Sequence, residues 1–214
     1  MILYDYFRST AAYRVRMALN YKGIEYQSVP VHLVNEGGEQ FKSSFLQLNP
    51  QAKVPVLVVD EHTVLAQSLA IIEYLEEYQP QPALLPRDAI GRARVRQIAQ
   101  LIACDIHPLN NIRVLNYLTA DMQLTQTKKT QWYHHWVADG FHALEQILTQ
   151  STATGRFCHG DEVTLADICL VAQLYNAYRF ECPLDDYPTV VAIGERCLAM
   201  EIFKSAHPDQ QLTP

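Results

Sequence analysis

The chain has 214 residues, 49% of them hydrophobic and 19% charged, a balance that excludes intrinsic disorder and allows one large domain or two small ones, each with a sizeable core. A formal net charge of −6 argues against nucleic acid as a partner, because phosphate binding needs clustered Lys and Arg. No stretch approaches the roughly 18 uncharged apolar residues of a membrane helix, and Met1 to Asp5 lacks the basic start and apolar core of a signal peptide, so a soluble cytoplasmic protein with no membrane partner is expected.

Residues 2 to 7 read as a short β-strand, and Arg8-Ser9-Thr10-Ala11-Ala12 leads into a helical pattern with Val15, Ala18 and Leu19 on one face and Gly23 as its C-terminal cap. Tyr26 to His32 is a second extended run. After a Gly-Gly loop, a short helix is predicted over Gln40 to Leu46, ending before Asn49-Pro50. Two apolar runs, Val54 to Val59 and Thr63 to Ala66, are bridged by Asp60-Glu61-His62 and predict an antiparallel hairpin; Ser68 then caps a helix with Ala70, Ile71, Tyr74 and Leu75 inward. The order βαβα-ββα makes a small α/β domain over residues 1–80, closed by the linker Gln79-Pro80-Gln81-Pro82. From residue 86 to 214 only helical periodicity remains: Arg87 to Leu118, Thr130 to Gln150, Leu165 to Tyr178 and Pro188 to Ala199. The fold class is therefore α/β plus all-α, with Pro108 expected to kink the first long helix and re-aim its side chains.

Chemistry is suggested at two places in the first domain. Ser9 and Thr10 lie between a strand and a helix, where hydroxyls and helix amides can hold an anion such as a thiolate, although taken alone a plain helix cap is the usual explanation, since Ser and Thr are preferred there regardless of function. Arg8, Arg14, Arg16 and Lys22 against Asp5 alone make residues 1 to 24 locally basic, which suits an anionic small ligand. Further on, an edge strand opening at Val54 offers its backbone to a bound peptide, and Ser68 at its own helix start offers a place for a carboxylate.

Strand-Ser-helix, Val54-Pro55 and Gln67-Ser68, in this order and spacing, resemble the glutathione site of the thioredoxin-like domain in glutathione transferases. Arg8-Ser-Thr-Ala-Ala-Tyr-Arg-Val-Arg-Met-Ala-Leu19 is similar to the zeta-class stretch Ser-Ser-Cys-x-Trp-Arg-Val-Arg-Ile-Ala-Leu, with Ala11 where the class has cysteine, Thr10 where it has its second serine and Tyr13 where it has tryptophan. The resemblance covers essentially the whole chain, including Thr164-Leu-Ala-Asp167, which looks like the superfamily's helix-opening capping box. It implies a thioredoxin-like domain followed by an all-helical one, a cis Val54–Pro55 bond, glutathione as cofactor and a homodimer. Lys53, Val54, Gln67 and Ser68 are implied to hold glutathione, with Ser9 and Thr10 at its thiol.

Cys104-Asp-Ile-His-Pro-Leu-Asn-Asn-Ile-Arg113 and Asn176-Ala-Tyr-Arg-Phe180 look like the matching helices of the class's maleylpyruvate and maleylacetoacetate isomerases. That resemblance implies His107 and Asn110 facing the thiol, Arg8 and Arg179 holding the carboxylates of a small cis-configured diacid, and cis-trans isomerisation as the reaction. A general transferase or peroxidase acting on electrophiles, and a non-catalytic binding module, are the alternatives. Cys104, Cys158, Cys169, Cys182 and Cys197 show no Cys-x-x-Cys pair, and His134, His135 and His142 have no partners at metal-ligand spacing, so no metal is expected. Cys158-His159 is discounted as a catalytic pair, Arg14 and Arg16 are read as structural, and Trp132 and Trp136 as helix packing.

Overall fold

The computed structural model describes residues 1–211. By internal contacts the chain divides into two compact units, Met1–Ala83 joined by the residues from Ala199 onward, and Leu84–Leu198.

In the first unit, β1 (Ile2–Asp5), β2 (Gln27–Pro30), β3 (Val56–Val58) and β4 (Val64–Ala66) form a sheet in the order β2-β1-β3-β4. β2 runs parallel to β1, which requires a crossover, and α1 (Thr10–Lys22) supplies it; β3 and β4 are antiparallel neighbours. The second extended run is shorter than expected because Pro30 cannot donate to the ladder. The predicted helix over residues 40–46 is broken in two, a 3-10 turn Glu39–Phe41 and α2 (Ser43–Leu46), since Lys42 between them is extended. The hairpin forms as predicted, with Asp60 Oδ1 accepting from the His62 amide at 2.9 Å inside its turn. Gly23 ends α1 in the left-handed conformation and donates to Asn20 and Leu19, the cap the sequence called for.

α3 (Ser68–Tyr78) departs from expectation in two details. Gln67 is its N-cap, Ser68 being the first helical residue, and Ala70 is exposed; the face turned inward is Ile71, Ile72 and Leu75, with Tyr74 half-buried. α1 packs against α3 and is buried nearly all round, charges included. Arg16 reaches both Asp5 carboxylate oxygens at 2.8 and 2.7 Å, the Phe7 carbonyl at 3.0 Å and the Ala206 carbonyl at 3.1 Å. Such a buried pair is tolerated because the guanidinium donors find acceptors. The bond to Ala206, with Tyr13 Oη donating to Phe203 at 3.5 Å, draws α9 (Glu201–Ala206) onto the first unit, whereas the sequence reading carried the helical domain to residue 214.

The second unit is helical: α4 (Ala89–Gln100), α5 (Ile112–Ala120), α6 (Gln126–Thr149), α7 (Leu165–Arg179) and α8 (Pro188–Leu198). The pattern predicted from Arg87 to Leu118 is interrupted around Pro108 by a π-helical turn, Leu101–Ile106, and a 3-10 turn, His107–Asn110, before Asn111 caps α5. α6 begins earlier than the periodicity suggested, capped by Thr125. Its Gly140 lets the π turn approach, since a Cβ there would collide with Ile106. α7 runs through the core, and the capping box at its start is present: Asp167 accepts from the Thr164 amide and hydroxyl at 2.8 and 2.7 Å and from the Cys158 amide at 2.7 Å.

Candidate active site

Ser9 sits in extended conformation at the start of α1, and its Oγ accepts from the Ala12 amide at 3.2 Å. A hydroxyl that accepts there still has its own proton to donate. No acidic residue stands in the first turn of α1, so nothing there neutralises the positive end of the helix dipole. The Ala11 amide makes no hydrogen bond among the described residues. Thr10, the first helical residue, is 3% exposed. Arg8 is exposed, its guanidinium 4.9 Å from the Phe7 ring centroid, and no carboxylate of the described residues lies within 4 Å of it.

The loop before β3 is shaped by Asn49, whose amide donates to the Lys53 carbonyl at 2.8 Å while its Oδ1 accepts from the Gln51 amide at 3.0 Å. Lys53 is half-buried, Val54 is buried and the Val54–Pro55 peptide is cis. The sequence reading made Val54 open an edge strand. The structure corrects this: β3 begins at Val56 and lies between β1 and β4, because the hairpin partner covers one side and β1 the other. Val54 itself lies outside the ladder, and its backbone makes no hydrogen bond among the described residues.

Across from this loop, Gln67 has φ 71 and ψ 115, a conformation that side-chain-bearing residues rarely adopt and that concentrates at functional sites. Its Nε2 donates to Gln51 Oε1 at 2.9 Å, so the side chain reaches back to the loop and gives α3 no side-chain cap bond. Ser68, 6% exposed, accepts from Arg14 Nη1 at 3.3 Å, a bond that ties α1 to the first turn of α3. The first unit thus brings Lys53, Val54, Gln67 and Ser68 onto one loop and one helix start, with Ser9 and Thr10 at another.

In the second unit, Asn110 is 3% exposed, and neither end of its side-chain amide has a partner among the described residues. An unsatisfied buried amide is uncommon and calls for a ligand or a water. His107, half-buried, opens the same 3-10 turn. Trp132 Nε1 pins that turn by donating to the Leu109 carbonyl at 2.7 Å, a role beyond the packing expected of it. Arg179 is the last residue of α7, exposed, 5.3 Å from the Phe180 ring centroid, and without a carboxylate within 4 Å among the described residues.

The discounted features stay apart from this chemistry. His134 bonds the Phe180 carbonyl at 2.8 Å, His142 bonds Gln146 at 3.0 Å, and no group of potential metal ligands occurs among the described residues. Cys158 is fully buried, which pushes its thiol well above the usual range, while His159 lies 3.3 Å from Arg94. A cavity of about 660 Å³ between α6 and Cys182–Tyr187 contains none of the sequence-predicted site residues. Sequence reasoning missed the Arg14–Ser68 bond, the Gln51–Gln67 bond and the π turn. Only the last had a sequence signal, in Pro108.

Comparison with known proteins matches the family model for the glutathione S-transferase N-terminal domain to residues 8–78 and that for the glutathione S-transferase C-terminal domain to residues 109–204. The maleylacetoacetate isomerase of Mus musculus is 50% identical over 210 residues, 98% of this chain and 93% of the mouse protein. Among solved structures, a holo maleylpyruvate isomerase described as a bacterial zeta-class glutathione S-transferase superimposes with a TM-score of 0.95 at 44% identity, covering 99% of this chain and 98% of that one. Maleylacetoacetate isomerase from Methylobacterium extorquens AM1, solved with bound malonate and glutathione, gives a TM-score of 0.95 at 40% identity, again covering 99% of this chain and 98% of that one.

Proposed function

The chain belongs to the glutathione S-transferase family, and on that footing we propose that it is a zeta-class, glutathione-dependent cis-trans isomerase acting on maleylacetoacetate or maleylpyruvate to give the fumaryl isomer. The observation that carries this is similarity at 40 to 50% identity, over essentially the full length, to isomerases of both names.

The residues present fit glutathione. An amide-bearing helix start with a free hydroxyl proton suits a thiolate, an unbonded peptide at Val54 suits a peptide backbone, and a strained Gln67 beside Ser68 suits a charged end group. Bound there, glutathione supplies a thiolate that adds reversibly to the cis double bond, makes it rotatable and leaves again unconsumed. Ser9 donates its proton toward the thiolate, and the first amides of α1, Thr10 among them, add the helix dipole; together they hold the thiol ionised near neutral pH without the cysteine that Ala11 replaces. Val54 and Lys53 align the backbone, and Gln67 and Ser68 hold the γ-glutamyl end. Arg8 and Arg179 serve as carboxylate anchors: each is a permanently charged planar fork with no carboxylate among the described residues to satisfy it, and charge developing on the substrate strengthens such contacts. His107 and Asn110 are assigned to the thiol region, Asn110 on the strength of its unsatisfied amide.

A homodimer and a cytoplasmic location complete the proposal. The location is supported by five cysteines outside any disulfide, which suit a reducing compartment, and by the lack, among the described residues, of a helix long and apolar enough to cross a membrane. The decisive experiment follows both substrates by ultraviolet absorbance with and without glutathione, beside conjugation of chlorodinitrobenzene. Isomerisation that requires glutathione but does not consume it is expected, and conjugation without isomerisation defeats the proposal.

A further inference from the structure

We propose that Arg14 is a positioning residue for glutathione, fixing the Ser68 hydroxyl as a hydrogen-bond donor to the carboxylate of the γ-glutamyl end. The inference rests on the assignment of Ser68 made above. Arg14 is 2% exposed on α1, Ser68 is 6% exposed at the start of α3, and the Nη1 to Oγ distance is 3.3 Å. A guanidinium has donors only, whereas a hydroxyl has one proton and two lone pairs. With Arg14 filling one lone pair, Ser68 cannot turn its proton toward α1 and must present it elsewhere. Gln67, held at φ 71 and tied to Gln51, fixes the backbone from which Ser68 departs. The other buried cations of α1 serve the fold: Arg16 grips Asp5, and Lys22 grips Glu76 at 2.7 Å. Arg14 directs a fixed positive charge through a hydroxyl that the ligand touches, and burial keeps that charge from being screened.

The test compares binding of glutathione and of an analogue whose γ-glutamyl α-carboxylate is converted to the amide, by calorimetry, in the wild type, Arg14→Lys, Arg14→Met, Ser68→Ala and the double variants. The wild type is expected to prefer glutathione by about tenfold to a hundredfold, as a hydrogen bond to a charged group would give. Arg14→Met should lose most of that preference, Arg14→Lys should keep part of it, and neither should reduce it further once Ser68 is alanine. Turnover at saturating glutathione should fall by less than about threefold, so the loss appears in KM. If Arg14→Met does not fold, the Arg14→Lys and Ser68→Ala cycle decides the question alone. Equal weakening of both ligands would mean that Arg14 only packs the helices, and an undiminished preference would overturn the proposal outright. A wild type that binds both ligands equally removes the Ser68 assignment and this inference with it, while one that binds neither removes the isomerase reading itself.

Discussion

Helices α1 and α7 each have a hydroxyl residue at the N-cap, and they use it in opposite ways. At α7, Thr164 and Asp167 close a capping box, the Cys158 amide adds a third donor to the same carboxylate, and Asp167 is fully buried. At α1, Ser9 is half-exposed, caps one amide, and has no acidic residue behind it. Helix starts carry orphan donors and partial positive charge. Where the protein supplies its own acid, the start is sealed and serves stability; where it does not, the same physics leaves a place for an anion. α3 goes further, with an N-cap whose side chain bonds nothing in its own helix and whose backbone has a positive φ.

Exchanging the acid for alanine should break the sealed start. Asp167→Ala strands two buried amides and a hydroxyl, and a loss of about 4 kcal/mol is expected, a fall in Tm on the order of 10 °C, by thermal or urea denaturation. At the open start the effect moves from stability to activity. Ser9→Ala should lower kcat/KM by about a hundredfold or more, in line with removing one donor from a developing anion, yet change stability by only about 1 kcal/mol. A Ser9→Ala enzyme as active as the wild type but much less stable would make α1 a second sealed helix.

Next in size, Arg179→Ala should reduce kcat/KM by about tenfold to a hundredfold with no change in Tm, since its guanidinium meets no carboxylate among the described residues; unchanged turnover and substrate affinity would remove the assignment. Gln67→Gly should relieve the positive φ and raise stability by roughly 1 kcal/mol while weakening glutathione, a split between Tm and KM that an ordinary loop residue would not give. The smallest change tests burial alone. A thiol reagent at neutral pH should label the exposed Cys104 in the folded protein and leave Cys158 and Cys182 untouched, burial having pushed the Cys182 thiol up to about 12 and the Cys158 thiol well above the usual range.

Much of this was legible in the residues themselves. The βαβ opening, the hairpin at Asp60, the Gly23 cap, the Thr164–Asp167 box and the break at Pro108 all follow from local preferences within a few residues. The candidate site was legible as two helix starts and a loop, because Ser9 and Gln67-Ser68 stand where amides are left over. Local patterns failed wherever a distant partner decided the outcome. Val54 looked like the start of an edge strand because no sequence pattern shows that β1 will occupy the other side of β3. Ala70 looked inward because alanine fits either environment, and α3 was rotated by what Ile71, Ile72 and Leu75 bury.

Taken alone, the sequence determined the kinds and order of the elements, the division into an α/β part and a helical part, and which residue types stand at the helix starts, all short-range properties set by propensity, capping and period. Only the tertiary structure decided that Arg14 meets Ser68 across 54 residues, that the Gln67 side chain bonds Gln51, and that the residues after Ala199 return to the first unit through Arg16 and Tyr13. Each is a hydrogen bond between groups far apart along the chain, and its formation depends on how α1, α3 and the sheet are packed, which no local window of residues encodes.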